Sequence, residues 1–278
     1  MTNCTVGIIG VGAMGEALVS GLLAAGWEPS DIRIGVRRKE RAEELEQRLG
    51  CPAFFHPVEV VDGRQLAVVA VKPRDVPGVL EALAGRLEAG QALLSLAAGV
   101  TTSTYEAALG DVPVIRAMPN TPALVGFGVT AIAPGKYAEA GHVELARQVL
   151  GAVGTVRELD ETLMNAVTAV SGTGPAYVFL LAEAMTEAAV REGLPRDIAE
   201  SFVAQTIRGA GHLLTDTLKS SAELRYEVTS PGGTTAAAMH ILEARGFRAL
   251  VEDAVRAASA RSAELGTAGR EGSAGGPG

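Results

Sequence analysis

Apolar positions along this chain fall into two rhythms, and the change from one to the other divides it. Up to about residue 160, short apolar runs alternate with stretches whose apolar residues recur every three or four positions. Runs such as Cys4–Ile9, Ile32–Val36, Leu66–Val71 and Ala92–Leu96 predict strands with both faces covered. Val112–Arg116, Val129–Ala133 and Val153–Leu159 extend the series. Between them, helices are expected over 13–26, where Leu18, Leu22, Leu23 and Ala25 share helical spacing, and over 39–49 and 139–150. Strands alternating with helices in this way predict an α/β domain built on a parallel sheet.

From about Glu161 the pattern is almost entirely helical and rich in alanine. One helix is expected from Ser171 to Glu192, with Pro175 in its first turn, and another from Pro195 to Leu214. The first is apolar on nearly every face (Tyr177, Val178, Phe179, Leu180, Met185, Val190), which predicts burial by a partner subunit. The expected organisation is therefore residues 1–160 as an α/β domain, 161–265 as an all-α domain, and 266–278 as a disordered tail rich in Gly, Ser, Ala and Pro.

Composition narrows the picture. Hydrophobic residues make up 47% and charged residues 20%, a globular balance with ample length for a core. The net charge of −8, with no basic block, argues against a nucleic-acid surface. Cys4 and Cys51 are expected as reduced core residues, and His56, His142, His212 and His240 show no ligand spacing, so no metal is expected. The first strand begins near residue 4, leaving no room for a signal peptide, and no uncharged apolar run approaches a membrane span. A cytoplasmic protein is the expectation.

Chemistry concentrates in two glycine turns. The first strand runs into Gly10-x-Gly12-x-x-Gly15 and then a helix, the arrangement of a Rossmann dinucleotide-binding domain. Gly10 permits the sharp turn, Gly12 lets a pyrophosphate approach, and Gly15 lets the helix pack on its strand. Ala13 and Met14 lie within the same turn. After the second strand, where an NAD site offers a carboxylate, the chain has Arg37-Arg38-Lys39. Arg37 and Arg38 are candidate ligands of a 2′-phosphate, pointing to NADPH, with NADH as a weaker substitute. Lys72, with Val71 and Pro73, ends another parallel strand, where open α/β sheets bind ligands, and is suited to steer phosphates or substrate. The turns at Ala97 and at Met118-Pro119-Asn120 are expected to line the same crevice. The second glycine turn, Ser230-Pro231-Gly232-Gly233-Thr234-Thr235, precedes a helix and offers N–H groups and hydroxyls to an anion.

With both turns in hand, the chain resembles the pyrroline-5-carboxylate reductase family. Gly10–Gly15, Val71-Lys72-Pro73, Arg116 to Pro122, Ser171–Tyr177 and above all Leu224 to Glu243 carry the match, in order, over about residues 4–250. The resemblance implies NAD(P)H-dependent reduction of 1-pyrroline-5-carboxylate to L-proline. It implies a helical domain that intertwines with its mate in a homodimer, and assembly into a higher homo-oligomer such as a decamer. It also implies that Ser230, Gly233, Thr234 and Thr235 hold the substrate carboxylate, that Thr173 lies by the active-site mouth, and that Ala97, Met118, Pro119 and Asn120 lie near the nicotinamide. Thr235 is further a candidate proton donor. The chain departs from the family at His56 and Pro57, where relatives carry an asparagine against the adenine ribose, and over Asp216–Ser221. A β-hydroxyacid dehydrogenase relies on a lysine in the long helix, and Ser171–Glu192 contains none. A non-catalytic nucleotide sensor of the same fold is the other alternative, distinguished by binding without turnover.

Overall fold

The structure is a computed structural model in which residues 4–271 are described. Eight strands form one sheet: β1 (Val6–Ile9), β2 (Ile32–Gly35), β3 (Ala53–Phe54), β4 (Leu66–Val69), β5 (Ala92–Ser95), β6 (Val114–Met118), β7 (Gly128–Pro134) and β8 (Gly154–Glu158). Their order is β3-β2-β1-β4-β5-β6-β7-β8, parallel throughout except that β7 runs antiparallel to β6. Six helices accompany the strands: α1 (Ala13–Ala24), α2 (Lys39–Leu49), α3 (Pro57–Val61), α4 (Val76–Leu83), α5 (Thr102–Leu109) and α6 (Ala140–Gly151).

Both sides of the central strands are dry, and successive residues serve opposite cores. Val6, Ile8, Leu66, Val68, Ala92 and Leu94 pack with Leu18 and Leu22 of α1, Leu45 of α2 and Val149 of α6. Their neighbours Ile9, Ala67, Val69 and Leu93 pack with Val60 of α3, Val79 and Leu83 of α4 and Tyr105 of α5. A period of two with apolar residues in both phases gives the uninterrupted runs seen in the sequence. Trp27, the only tryptophan, is half-buried beside the first of these cores.

The remaining helices are α7 (Met164–Val167), α8 (Gly174–Arg191), α9 (Arg196–Asp216), α10 (Ser221–Glu227), α11 (Thr234–Ala244) and α12 (Phe247–Glu271). The described residues divide into two compact units, 4–173 with 258–271 and 174–257. The first unit is the Rossmann-type sheet and its helices. The change of sequence pattern near 160 thus precedes the division of the packing, because α7 and a wide π-type turn at Thr168–Gly172 stay with the sheet.

The described residues run a few positions past 266, where the expected tail begins. The helix α12 continues to Glu271, and its final part belongs to the first unit. There Ser262 Oγ donates to Asn165 Oδ1 at 2.9 Å, and Gly266 passes so near Gly99 that a Cβ on Gly99 would lie 3.4 Å from its nitrogen. At that point the absence of a side chain on Gly266 allows the close approach to Gly99. Residues 272–278 lie outside the described residues.

The second unit is helical, with α8 packed along α9 and α10 against α9. Apolar side chains on α8 and α9 remain exposed in a single copy of the chain: Phe179 by 67%, Leu180 by 66% and Phe202 by 61%. No helix among the described residues is long and apolar enough to cross a membrane.

Candidate active site

A cavity of about 760 Å³ opens at the carboxyl ends of β1, β2 and β4, within the first unit. Gly10, Gly12, Arg37, Arg38, Val71 and Lys72, all expected cofactor residues, line it together. The sharp turn out of β1 sits at Gly10, whose φ is +92°, and a Cβ there would come within 2.6 Å of Val71 Cγ1. Neither the backbone angle nor the space admits a side chain. Gly10 N–H donates to Gly35 O at 2.9 Å, which ties the turn to the end of β2. A Cβ on Gly15 would meet Gly10 O at 2.7 Å, so α1 packs directly onto the turn.

Gly12 is different. It is exposed at the start of α1, and a Cβ there would meet nothing within 4 Å. The fold leaves Gly12 open, so its lack of a side chain matters only to what approaches the helix N-terminus. That open cradle, with arginines at its rim, fits a phosphorylated dinucleotide. Gly12→Ala is accordingly expected to leave the unfolding midpoint unchanged while weakening NADPH binding about tenfold, since one methyl would hold the pyrophosphate off the N–H groups. A fluorescence titration beside a thermal melt checks both halves, and undiminished affinity would remove the assignment.

The other expected residues occupy distinct places. Ala13 is exposed in the first turn of α1, whereas Met14 is half-buried against the core. Pro73 is exposed and opens a short turn before α4. Buried Ala97 follows β5, and its N–H donates to Ser95 Oγ at 3.3 Å. That hydroxyl meets the Tyr105 hydroxyl at 2.6 Å, whose phenol burial pushes up to about 12, so it stays neutral. Met118 ends β6, where a loop residue was expected, and its methyl group lies against Gly172. Pro119 is buried. Both ends of the buried Asn120 amide are engaged by backbone, Oδ1 accepting from Val129 N at 3.0 Å and Nδ2 donating to Ser171 O at 3.2 Å. Thr173 donates its hydroxyl to Thr168 O at 3.0 Å, closing the wide turn.

The second glycine turn belongs to the second unit. Gly233 N–H donates to Ser230 O at 3.0 Å, and Gly232 takes the left-handed conformation with φ +69°. Gly233 stands at the cap of α11, and no side-chain hydrogen bond caps that helix. Thr234 and Thr235 open α11 and Ser230 lies in the turn before it, at an N-terminus whose first N–H groups lack a side-chain cap. Glu243 of α11 braces the segment from the other side, 3.4 Å from Arg225 of α10 and 2.7 Å from Arg248. The Arg248 guanidinium holds the Glu243 carboxyl below the usual carboxylate range.

Several polar contacts that shape the first unit were not read from the sequence. Arg116 is buried and pairs with Glu161 Oε1 at 3.1 Å, while Glu161 also accepts from Thr102 N and Thr102 Oγ1 at 2.9 and 2.7 Å. Glu16 of α1 takes Arg41 and Arg48 of α2, Arg48 at 2.6 Å, and these cations hold its carboxyl low, Arg48 most strongly. Asp75 pairs with Arg37 at 2.9 Å.

Comparisons with known proteins agree on one family. Residues 161–265 match the family model described as pyrroline-5-carboxylate reductase dimerisation, and residues 5–99 match one described as NADP oxidoreductase, coenzyme F420-dependent. The pyrroline-5-carboxylate reductase of Corynebacterium melassecola is 41% identical, covering 94% of this chain and 98% of its own. The Arabidopsis thaliana enzyme is 38% identical, covering 94% and 95%. Among solved structures, the Coxiella burnetii pyrroline-5-carboxylate reductase superposes with a TM-score of 0.91 at 36% identity, covering 95% of this chain and 99% of that one. The Plasmodium falciparum pyrroline carboxylate reductase with NADP bound gives a TM-score of 0.84 at 29% identity, covering 96% and 99%. Matched nearly end to end at this identity, the chain belongs to the pyrroline-5-carboxylate reductase family.

Proposed function

We infer that this protein reduces 1-pyrroline-5-carboxylate to L-proline with NADPH, the last step of proline synthesis. One observation carries the reading: an open glycine cradle rimmed by arginines and an uncapped Ser230–Thr235 turn, in a chain 41% identical over 266 residues to a pyrroline-5-carboxylate reductase. When bound, NADPH supplies a hydride to the C=N carbon. The substrate is a cyclic imine that is electrophilic once protonated, so the reaction asks the protein chiefly for orientation.

Each residue's role follows from its chemistry. Gly10, Gly12, Ala13, Met14 and Gly15 form the pyrophosphate turn, and Arg37 and Arg38 take the 2′-phosphate. Val71, Lys72 and Pro73, with Ala97, Met118, Pro119 and Asn120, face the cofactor's crevice. The Lys72 ammonium steers the anionic partners. Ser230, Gly233, Thr234 and Thr235 hold the substrate carboxylate through N–H and hydroxyl donors, and Thr173 borders the site's mouth. The Thr235 hydroxyl is also the proton donor to the imine nitrogen. The exposed apolar residues of α8 and α9 support a homodimer, and further assembly to a decamer is part of this reading. The compartment is the cytoplasm, and NADH serves as a weaker substitute.

The decisive assay follows loss of reduced nicotinamide on mixing purified protein with 1-pyrroline-5-carboxylate, with NADPH and NADH in parallel. Turnover establishes the reaction; tight NADPH binding without turnover would favour the non-catalytic sensor. In Arg37→Ala with Arg38→Ala, the Michaelis constant for NADPH is expected to rise about tenfold more than that for NADH, the value of a lost charge-assisted contact. Equal rises for both would remove the 2′-phosphate assignment.

A further inference from the structure

The rim of the first-unit cavity carries charge of both signs. Arg37 and Arg38 follow β2, Lys72 follows β4, and Asp75 stands at the cap position of α4. Arg41 also lines the cavity, but its guanidinium is held by Glu16 and Glu44. That network commits Arg41 to bracing α2 against α1, so the burden of recognising a phosphate at this rim falls on its two neighbours in sequence. Arg37 has a partner of its own, with Nη2 lying 2.9 Å from Asp75 Oδ1.

The two members of this pair are unequal. The Arg37 side chain is 72% exposed, on a long flexible stem, whereas Asp75 is 23% exposed on a short one. The backbone of Asp75 is fixed by its N–H, which donates to Lys72 O at 2.8 Å. Although Asp75 occupies the cap position of α4, its carboxylate makes no capping hydrogen bond there and pairs with Arg37. A ligand can therefore draw Arg37 away, but the carboxylate stays at the rim.

We propose that Asp75 sets the margin between NADPH and NADH by competing with the 2′-phosphate for Arg37. This rests on the reading of Arg37 as a phosphate ligand. A phosphate offers the guanidinium two oxygens and more charge than a carboxylate, and an exposed ion pair is weak, so the exchange goes forward. It goes forward at a cost that only the phosphorylated cofactor meets, because the Arg37–Asp75 pair must first be given up. A ribose hydroxyl does not draw on Arg37. Asp75 thus narrows the preference that Arg37 and Arg38 create.

The test uses the full chain with Asp75→Asn, Arg37→Ala and both together, titrated with NADPH and with NADH at one ionic strength. The Asp75 carboxylate makes no capping hydrogen bond and Asn has nearly the same shape, so Asp75→Asn keeps the fold. Asp75→Asn is expected to tighten NADPH about twofold to fivefold, the range of an exposed ion pair, and to leave NADH unchanged. In the Arg37→Ala background that gain should shrink, because the contested group is gone. A gain of the same size there would overturn competition through Arg37. Weaker NADPH binding by Asp75→Asn would make Asp75 a support for Arg37 and sink the proposal, as would an unchanged ratio of the two cofactors. If Arg37→Ala alone weakens both cofactors equally, the phosphate reading itself fails.

Discussion

Thr235→Ala is expected to raise the Michaelis constant for 1-pyrroline-5-carboxylate about tenfold to a hundredfold, the value of one hydrogen bond to a charged group. The NADPH constant should hardly move, because Thr235 lies in the first turn of α11 while the dinucleotide cradle is built by the first unit. The turn should survive the change: its defining contact is Gly233 N–H to Ser230 O, which uses no side chain of Thr235. Thr235→Ser, which keeps the hydroxyl, should recover most of the loss. Steady-state kinetics over both substrates decides the matter. An unaltered Michaelis constant for the imino acid in Thr235→Ala removes the carboxylate assignment, and a fall confined to kcat would leave Thr235 as proton donor alone.

The largest effect on stability is expected at Glu161. Its carboxylate answers the buried Arg116 guanidinium and two groups of Thr102 at the start of α5. Glu161→Ala strands a buried cation and two donors at once, which should cost about 2–3 kcal/mol, below the full figure for a broken buried pair because Glu161 is 27% exposed. Urea denaturation measures it directly. Replacing both partners, Arg116→Met with Glu161→Leu, should restore most of the loss, since no charge is then left without its counterpart. A single mutant within about 0.5 kcal/mol of the parent, the range of an ordinary surface substitution, would show that water already satisfies Arg116.

These two sites were not equally legible. The Ser230–Thr235 turn could be read because adjacent glycines and hydroxyls before a helix are local features. The strands of the central sheet were legible for a similar reason, as burial on both faces writes an unbroken apolar run into few residues. Short elements left no such mark. β3 has two residues, and α3, α4 and α5 span at most eight, too few turns for a helical period to stand out. The antiparallel course of β7 beside β6 was equally silent, since a buried strand has the same composition in either direction. Pairs such as Arg37 with Asp75 and Arg116 with Glu161 join residues far apart in sequence and exist only once the sheet is ordered. A weak hint was present for Asp75, an acid three positions past Lys72 at a strand's carboxyl end.

Trp27 gives the molecule a built-in optical division of labour. The sole indole sits half-buried beside the core that α1, α2 and α6 share with the sheet, and the helical unit has none. Its emission therefore reports the melting of the first unit alone, while far-ultraviolet ellipticity draws on the helices of both units. Recorded on one sample, the two signals tell whether the cofactor-binding half and the helical half come apart in a single transition or in sequence.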